Sequence, residues 1–200
     1  MSEFNTVDLG RYERTEVWAA AATLDEAVRG GREGVPTLIK ALKDRGSKSV
    51  QIAVRREAAK ALGRHGPAAK EAIPALVKCA KKDGDEYVRA DAIRALGWIG
   101  RDAVPDLIKL LKKHSDKLNR ADAADALADI GKEARQAVPA LADALRDQKV
   151  PVRLAAAQAL GKIEVRDEKV VNAIEQALND DDEYVRKTAR EALQKIHSAD

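Results

Sequence analysis

The sequence predicts an all-α fold, a right-handed solenoid of stacked antiparallel helix pairs, on three observations. Alanine makes up roughly a fifth of the 200 residues while only six are aromatic, which suits closely packed helices better than a sheet. A ten-residue pattern recurs with a period near 33. A second pattern, built around a proline, precedes each copy. Stacked units that cannot bury their apolar faces alone give this kind of self-similarity.

The copies run in order. Val54-Arg55-Arg56-Glu57-Ala58-Ala59-Lys60-Ala61-Leu62-Gly63 is the first. Val88-Arg89 leads to Ala92, Ala95, Leu96 and Gly97, and Val152-Arg153 leads to Ala156, Ala159, Leu160 and Gly161. Asn119-Arg120 and Val185-Arg186 begin weaker copies, so the arginines at 55, 89, 120, 153 and 186 are spaced 34, 31, 33 and 33. Val88, Ala92, Ala95, Leu96 and Ile99 fall on one stripe of a 3.6-residue period, the buried face of the second helix of a pair. The first helix of each pair opens with Val35-Pro36, Ile73-Pro74, Val104-Pro105 and Val138-Pro139, with Val171-Asn172 as the fifth. Proline in the first turn needs no amide donor, and Gly66, Gly100 and Gly131 stand where the second helix should end in a left-handed cap. Asp85 and Asp182 open the pentapeptide Asp-Glu-Tyr-Val-Arg and are expected to cap second helices. The units are therefore 35–66, 67–100, 101–131, 132–163 and 167–198. Residues 1–30 form an N-terminal half repeat, a helix over 13–29 covered by Phe4, Val7, Leu9 and Tyr12.

At this point the chain resembles the HEAT-like repeats of the phycobilisome-lyase type, whose units carry an aspartate after the first helix, then Val-Arg, spaced alanines and Leu-Gly. Asp83, Asp147 and Asp180 each stand six residues before an arginine. The resemblance implies an inter-repeat ladder joining these aspartates to Arg55, Arg89, Arg120, Arg153 and Arg186, a structural role. Two departures interrupt the pattern: an insertion after Asp44, and Lys113 at the expected aspartate position before Arg120, with Asp116 only four residues upstream of that arginine. In the last unit Glu175 and Arg190 replace apolar residues that face the next repeat, as the end of a stack requires.

The resemblance also places the second helices on the concave side. Opposite the buried stripe they present Arg56, Lys60 and Arg64, then Ala90, Arg94 and Trp98, then Ala121, Asp125 and Asp129, then Leu154, Gln158 and Lys162, and last Lys187, Glu191 and Lys195. The groove should run from basic through an indole to acidic and then mixed. Trp98 stands where every other unit has a charged side chain, as binding anchors do, or else it covers a neighbouring helix. The expected function is a non-catalytic interaction scaffold that binds a protein or peptide with an acidic segment through Trp98, Arg94, Arg64, Lys60, Arg56, Asp125, Asp129 and Lys162.

Composition limits the alternatives. Net charge is +3, but residues 37–82 hold twelve Lys and Arg against three acids, or +9. That admits nucleic acid as an alternative partner, although no aromatic residue interleaves with this charge. The family resemblance admits a bilin lyase or chromophore carrier, and fold alone does not carry such an activity. His65, His114 and His197 lie in different units without a nucleophile or a metal-ligand spacing, so neither an enzyme, a cofactor nor a metal is expected. Cys79 reads as a small core residue, and the recurring glycines as helix-end features. No apolar run spans a membrane and no signal peptide is visible, which points to a cytoplasmic monomer.

Overall fold

The computed structural model describes residues 22–44, 49–164 and 167–198. The expected half repeat therefore enters only as helix α1, residues 22–29. Phe4, Val7, Leu9, Tyr12 and most of the insertion after Asp44 lie outside the described residues. Ten further helices follow as five pairs: α2 (Val35–Leu42) with α3 (Ser49–Arg64), α4 (Ile73–Lys82) with α5 (Glu86–Ile99), α6 (Val104–Lys113) with α7 (Lys117–Ile130), α8 (Val138–Ala144) with α9 (Val150–Ile163), and α10 (Glu168–Ala177) with α11 (Glu183–Ser198). There is no strand among the described residues. The fold is an all-α solenoid.

Local signals place the boundaries. Pro36, Pro74, Pro105 and Pro139 lie in the first turns of α2, α4, α6 and α8. Short 3-10 turns lead into these helices. Gly66, Gly100 and Gly131 adopt φ of 55°, 91° and 67°, the left-handed region that releases the chain from the preceding helix. Asp85 caps α5 by accepting the Val88 amide at 2.9 Å, and Asp182 accepts those of Tyr184 and Val185. The fifth pair differs. Without a proline, α10 starts at Glu168 under an Asp167 cap, and Val170 is buried while Val171 is only half-buried.

The stripe Val88, Ala92, Ala95, Leu96 and Ile99 is at most 1% exposed, as its period requires. The second helices α3, α5, α7, α9 and α11 pack against one another along the stack, whereas the first helices of successive pairs meet only lightly. The second helices thus form the tightly packed layer of the stack. Gly63, Gly97 and Gly161 are buried in the last turns of α3, α5 and α9, just inside the ends, and do more than terminate a helix. A Cβ on Gly97 would lie 3.0 Å from the Ala126 Cβ, and one on Gly161 would lie 2.9 Å from the Ala192 Cα. These glycines let neighbouring backbones approach.

Candidate functional site

Four of the five ladder arginines tie successive repeats together. Arg55 pairs with Asp83 at 2.8 Å, Arg89 with Asp116 at 3.0 Å, Arg120 with Asp147 at 2.9 Å and Arg153 with Asp180 at 2.7 Å. Each guanidinium thus reaches the carboxylate of the following repeat, while Nη1 donates to a main-chain carbonyl of its own: Asp44, Asp83, His114 and Asp147. Arg186 donates to the carbonyls of Asp180 and Asp181. The Arg153 hydrogen bond holds the Asp180 carboxyl below the usual carboxylate range. Bonds from Arg120 and the Lys149 amide overcome burial at Asp147, and the Leu118 amide leads the same downward shift at Asp116.

The third unit keeps its rung by dividing one residue's task between two. The position six residues before Arg120 is His114, not Lys113. His114 Nδ1 accepts the Asp116 amide at 3.1 Å, as Asp83 accepts that of Asp85 and Asp180 that of Asp182. Asp116 supplies the charge for Arg89 and also caps α7. The expected interruption of the ladder is absent at both departures, because Arg55 bridges the insertion to the Asp44 carbonyl.

On the groove face the sequence placed the outward residues well, apart from Ala121, which is buried. Several of its charges are already occupied. Asp91, only 3% exposed, accepts Arg56 and Arg94 at 2.8 Å each. Lys60 pairs with Glu57 at 2.7 Å and Lys162 with Asp129 at 3.1 Å. Asp91 carries this arrangement and escaped the sequence reading, although a repeat alignment shows Glu57, Asp91 and Asp122 at one position. Asp125 is exposed on the face of α7 between Asp122 and Asp129. Poor hydration, with the charges of Asp122 and Asp129, pushes its carboxyl up to about 6 against the pull of Lys162. Asp122 shifts upward as well, chiefly through burial.

Trp98 is 44% exposed, and of its two expected roles the covering one is seen directly. Its ring lies over Gly63 of α3, where a Cβ would approach Cε3 to 2.5 Å, so one face covers the neighbouring helix. The rest borders an open hollow shared with Pro67, Asp102, Asp129 and Glu133.

The HEAT repeat family model matches residues 14–97, 35–128 and 104–194, almost the whole length. The chain belongs to the HEAT repeat family. No functionally curated protein shows a significant match. Among solved structures, this HEAT chain is similar to a chain of the CpcE–CpcF phycocyanin lyase complex of Nostoc sp. PCC7120, with TM-score 0.61, 22% identity, 80% of this chain covered and 98% of that one. A designed armadillo repeat protein in complex with the peptide (KR)4 gives 0.59 and 21%, covering 94% and 95%. An engineered protein gives 0.54 and 26%, covering 97% and 93%. At these identities the first two likenesses speak for the fold alone.

Among the described residues of this HEAT chain, no helix is long and apolar enough to cross a membrane, and no group of three or more His, Cys, Asp or Glu could hold a metal ion. Cys79 is half-buried and packs against the edge of the core, not within it. Its Sγ donates to the Leu42 carbonyl at 3.5 Å beside a cavity that also meets Lys43, Lys78 and Lys82. Glu175 and Arg190 are exposed on the open face of the last pair.

Proposed function

We propose that the chain is a non-catalytic interaction scaffold whose concave face, lined by the second helices, binds a protein or peptide segment. One observation carries the reading. Trp98 is half-exposed in the groove at a position where the other units have Arg64, Asp129, Lys162 and Lys195, and a tryptophan already braced on Gly63 loses little freedom on binding. Polarity follows from charge. Arg56, Lys60, Arg64 and Arg94 line the first half of the face and suit an acidic stretch of the partner, with Arg64 and the solvent side of Arg94 the most open to it. Asp125 and Asp129 then accept the partner's basic end, and Lys162 borders them. Support from fold is general: helical repeat stacks expose long concave surfaces suited to binding.

The test is capture from nuclease-treated lysate of the source cell, with wild type compared with Trp98→Ala/Arg64→Glu. Arg64 is exposed, but Trp98→Ala also uncovers Gly63, so a modest fall in melting temperature is expected, and capture is compared at a temperature where both proteins are folded. A protein retained by wild type and lost from the variant is the expected result. Equal retention by both, or capture of nucleic acid alone when nuclease is omitted, overturns it and favours the basic section 37–82.

A further inference from the structure

Beyond its charged rows, the groove face carries a row that is not charged. Two residues before the ladder arginine, successive second helices present Tyr87, Leu118, Pro151 and Tyr184. Tyr87 is 58%, Leu118 48% and Tyr184 63% exposed, and Pro151 is exposed too. Apart from Trp98, these three are the only large apolar side chains exposed to that degree among the described residues. A single exposed apolar residue needs no explanation, but a row at one repeat position makes continuous surface.

The rows join across helices. The Arg56 guanidinium lies 5.1 Å over the Tyr87 ring, so the residue after a ladder arginine stands beside the row residue of the next helix. By repeat equivalence Ala90 falls next to Leu118 and Leu154 next to Tyr184, while Ala121, at the same position before Pro151, is buried and adds little surface. An apolar strip therefore crosses the N-terminal halves of α5, α7, α9 and α11. One turn further along α7 lie Asp122 and Asp125, and beyond them Asp129. Lys162 holds Asp129, and Arg94 is held by Asp91. Asp91 also holds Arg56, so the negative excess is local to α7, at Asp122 and Asp125.

Spacing describes the occupant. Packed helices lie about 8–10 Å apart, and seven residues of an α-helix advance about 10.5 Å on nearly the same face. Resting on the scaffold reading above, we propose that the strip docks a basic amphipathic helix of a partner protein. Its apolar side chains, repeated every seven residues, meet Tyr87, Leu118, Pro151 and Tyr184, and a lysine or arginine beside them reaches Asp125.

The probe is a fluorescein-labelled 21-residue peptide with leucine at heptad spacing and lysine on its flanks. Controls are the same peptide with glutamate for lysine, and one with the leucines scrambled. Anisotropy titrations at fixed salt compare wild type with Leu118→Ser/Tyr184→Ser, Asp125→Asn and Trp98→Ala, each with its melting temperature measured. The lysine peptide should bind wild type best, bind the serine variant about tenfold more weakly, and lose about threefold or more on Asp125→Asn. No binding to wild type, equal affinity for the serine variant, or preference for the glutamate peptide overturns the proposal. A loss confined to Trp98→Ala rejects the strip and leaves the scaffold reading standing. Wild-type dimerisation abolished by the serine substitutions in sedimentation runs overturns it in favour of a second copy of this chain. Failure of the lysate capture above, by contrast, strikes the scaffold reading itself.

Discussion

Asp180→Asn tests the ladder most directly. The carboxylate takes two bonds from Arg153, at 2.7 Å each, and accepts the Asp182 amide at 3.0 Å. The two side chains are only 14% and 9% exposed, so removing the charge leaves a largely buried guanidinium without its partner. Breaking a fully buried pair costs about 3–5 kcal/mol. The asparagine oxygen retains one acceptor and the pair keeps some solvent, so the loss should be about 2–4 kcal/mol. Urea unfolding followed by circular dichroism gives the value, and hydrogen exchange should show α10 and α11 losing protection first, because repeats couple only to their neighbours. The loss should also depend on pH. Asp180 is held below its unfolded value, so its contribution is full above about pH 4 and is lost as pH falls through the lower folded value. The deficit of the variant should therefore shrink toward zero in strong acid. Across the ladder it should follow burial, largest at Asp83 and Asp180 (8% and 9% exposed), less at Asp147 (18%) and least at Asp116 (30%). A loss under about 0.5 kcal/mol for Asp180→Asn, typical of exposed ion pairs, refutes the structural assignment.

Gly161→Ala should destabilise by about 1–3 kcal/mol through overpacking against Ala192. Gly84→Ala, where a Cβ meets nothing within 4 Å, should change little, and equal denaturation midpoints for the two would contradict the close approach. Asp125 shows the opposite linkage to Asp180: its folded value is raised to about 6, so stability is lost as pH rises from about 4, where the unfolded chain ionises, to that value, and the penalty is full above it. Asp125→Asn should consequently raise the melting temperature at pH 7.5 and leave it unchanged near pH 4, and a variant less stable at pH 7.5 would reverse that reading. Arg190→Leu should promote end-to-end association by making the open face of α11 resemble the inner positions Ala59, Ile93, Ala124 and Ala157, and sedimentation showing a strict monomer would count against it.

The architecture was legible in the sequence because helix periodicity, first-turn prolines and left-handed glycines are local signals repeated about every 33 residues. Five concordant copies correct one another, so the weak Asn119-Arg120 unit could be aligned from its neighbours. The outward row of the groove followed from the same period, since a residue opposite the buried stripe of a helix has nowhere else to point. Apart from the ladder, which the family resemblance implied, what lies between helices was not legible. Leu-Gly reads alike whether glycine ends a helix or admits a backbone, and only the approach of Ala126 and Ala192 separates Gly97 and Gly161 from Gly100. Nor does spacing reveal that Arg56 and Arg94 share buried Asp91, that Trp98 leans on Gly63, or that His114 and Asp116 divide the work of one aspartate. Those pairings depend on the stagger of one helix against the next, which side chains on both helices fix together. The sequence by itself determined the repeat, its faces and its capping; the tertiary structure decided which charges on those faces are already neutralised and which are left for a partner.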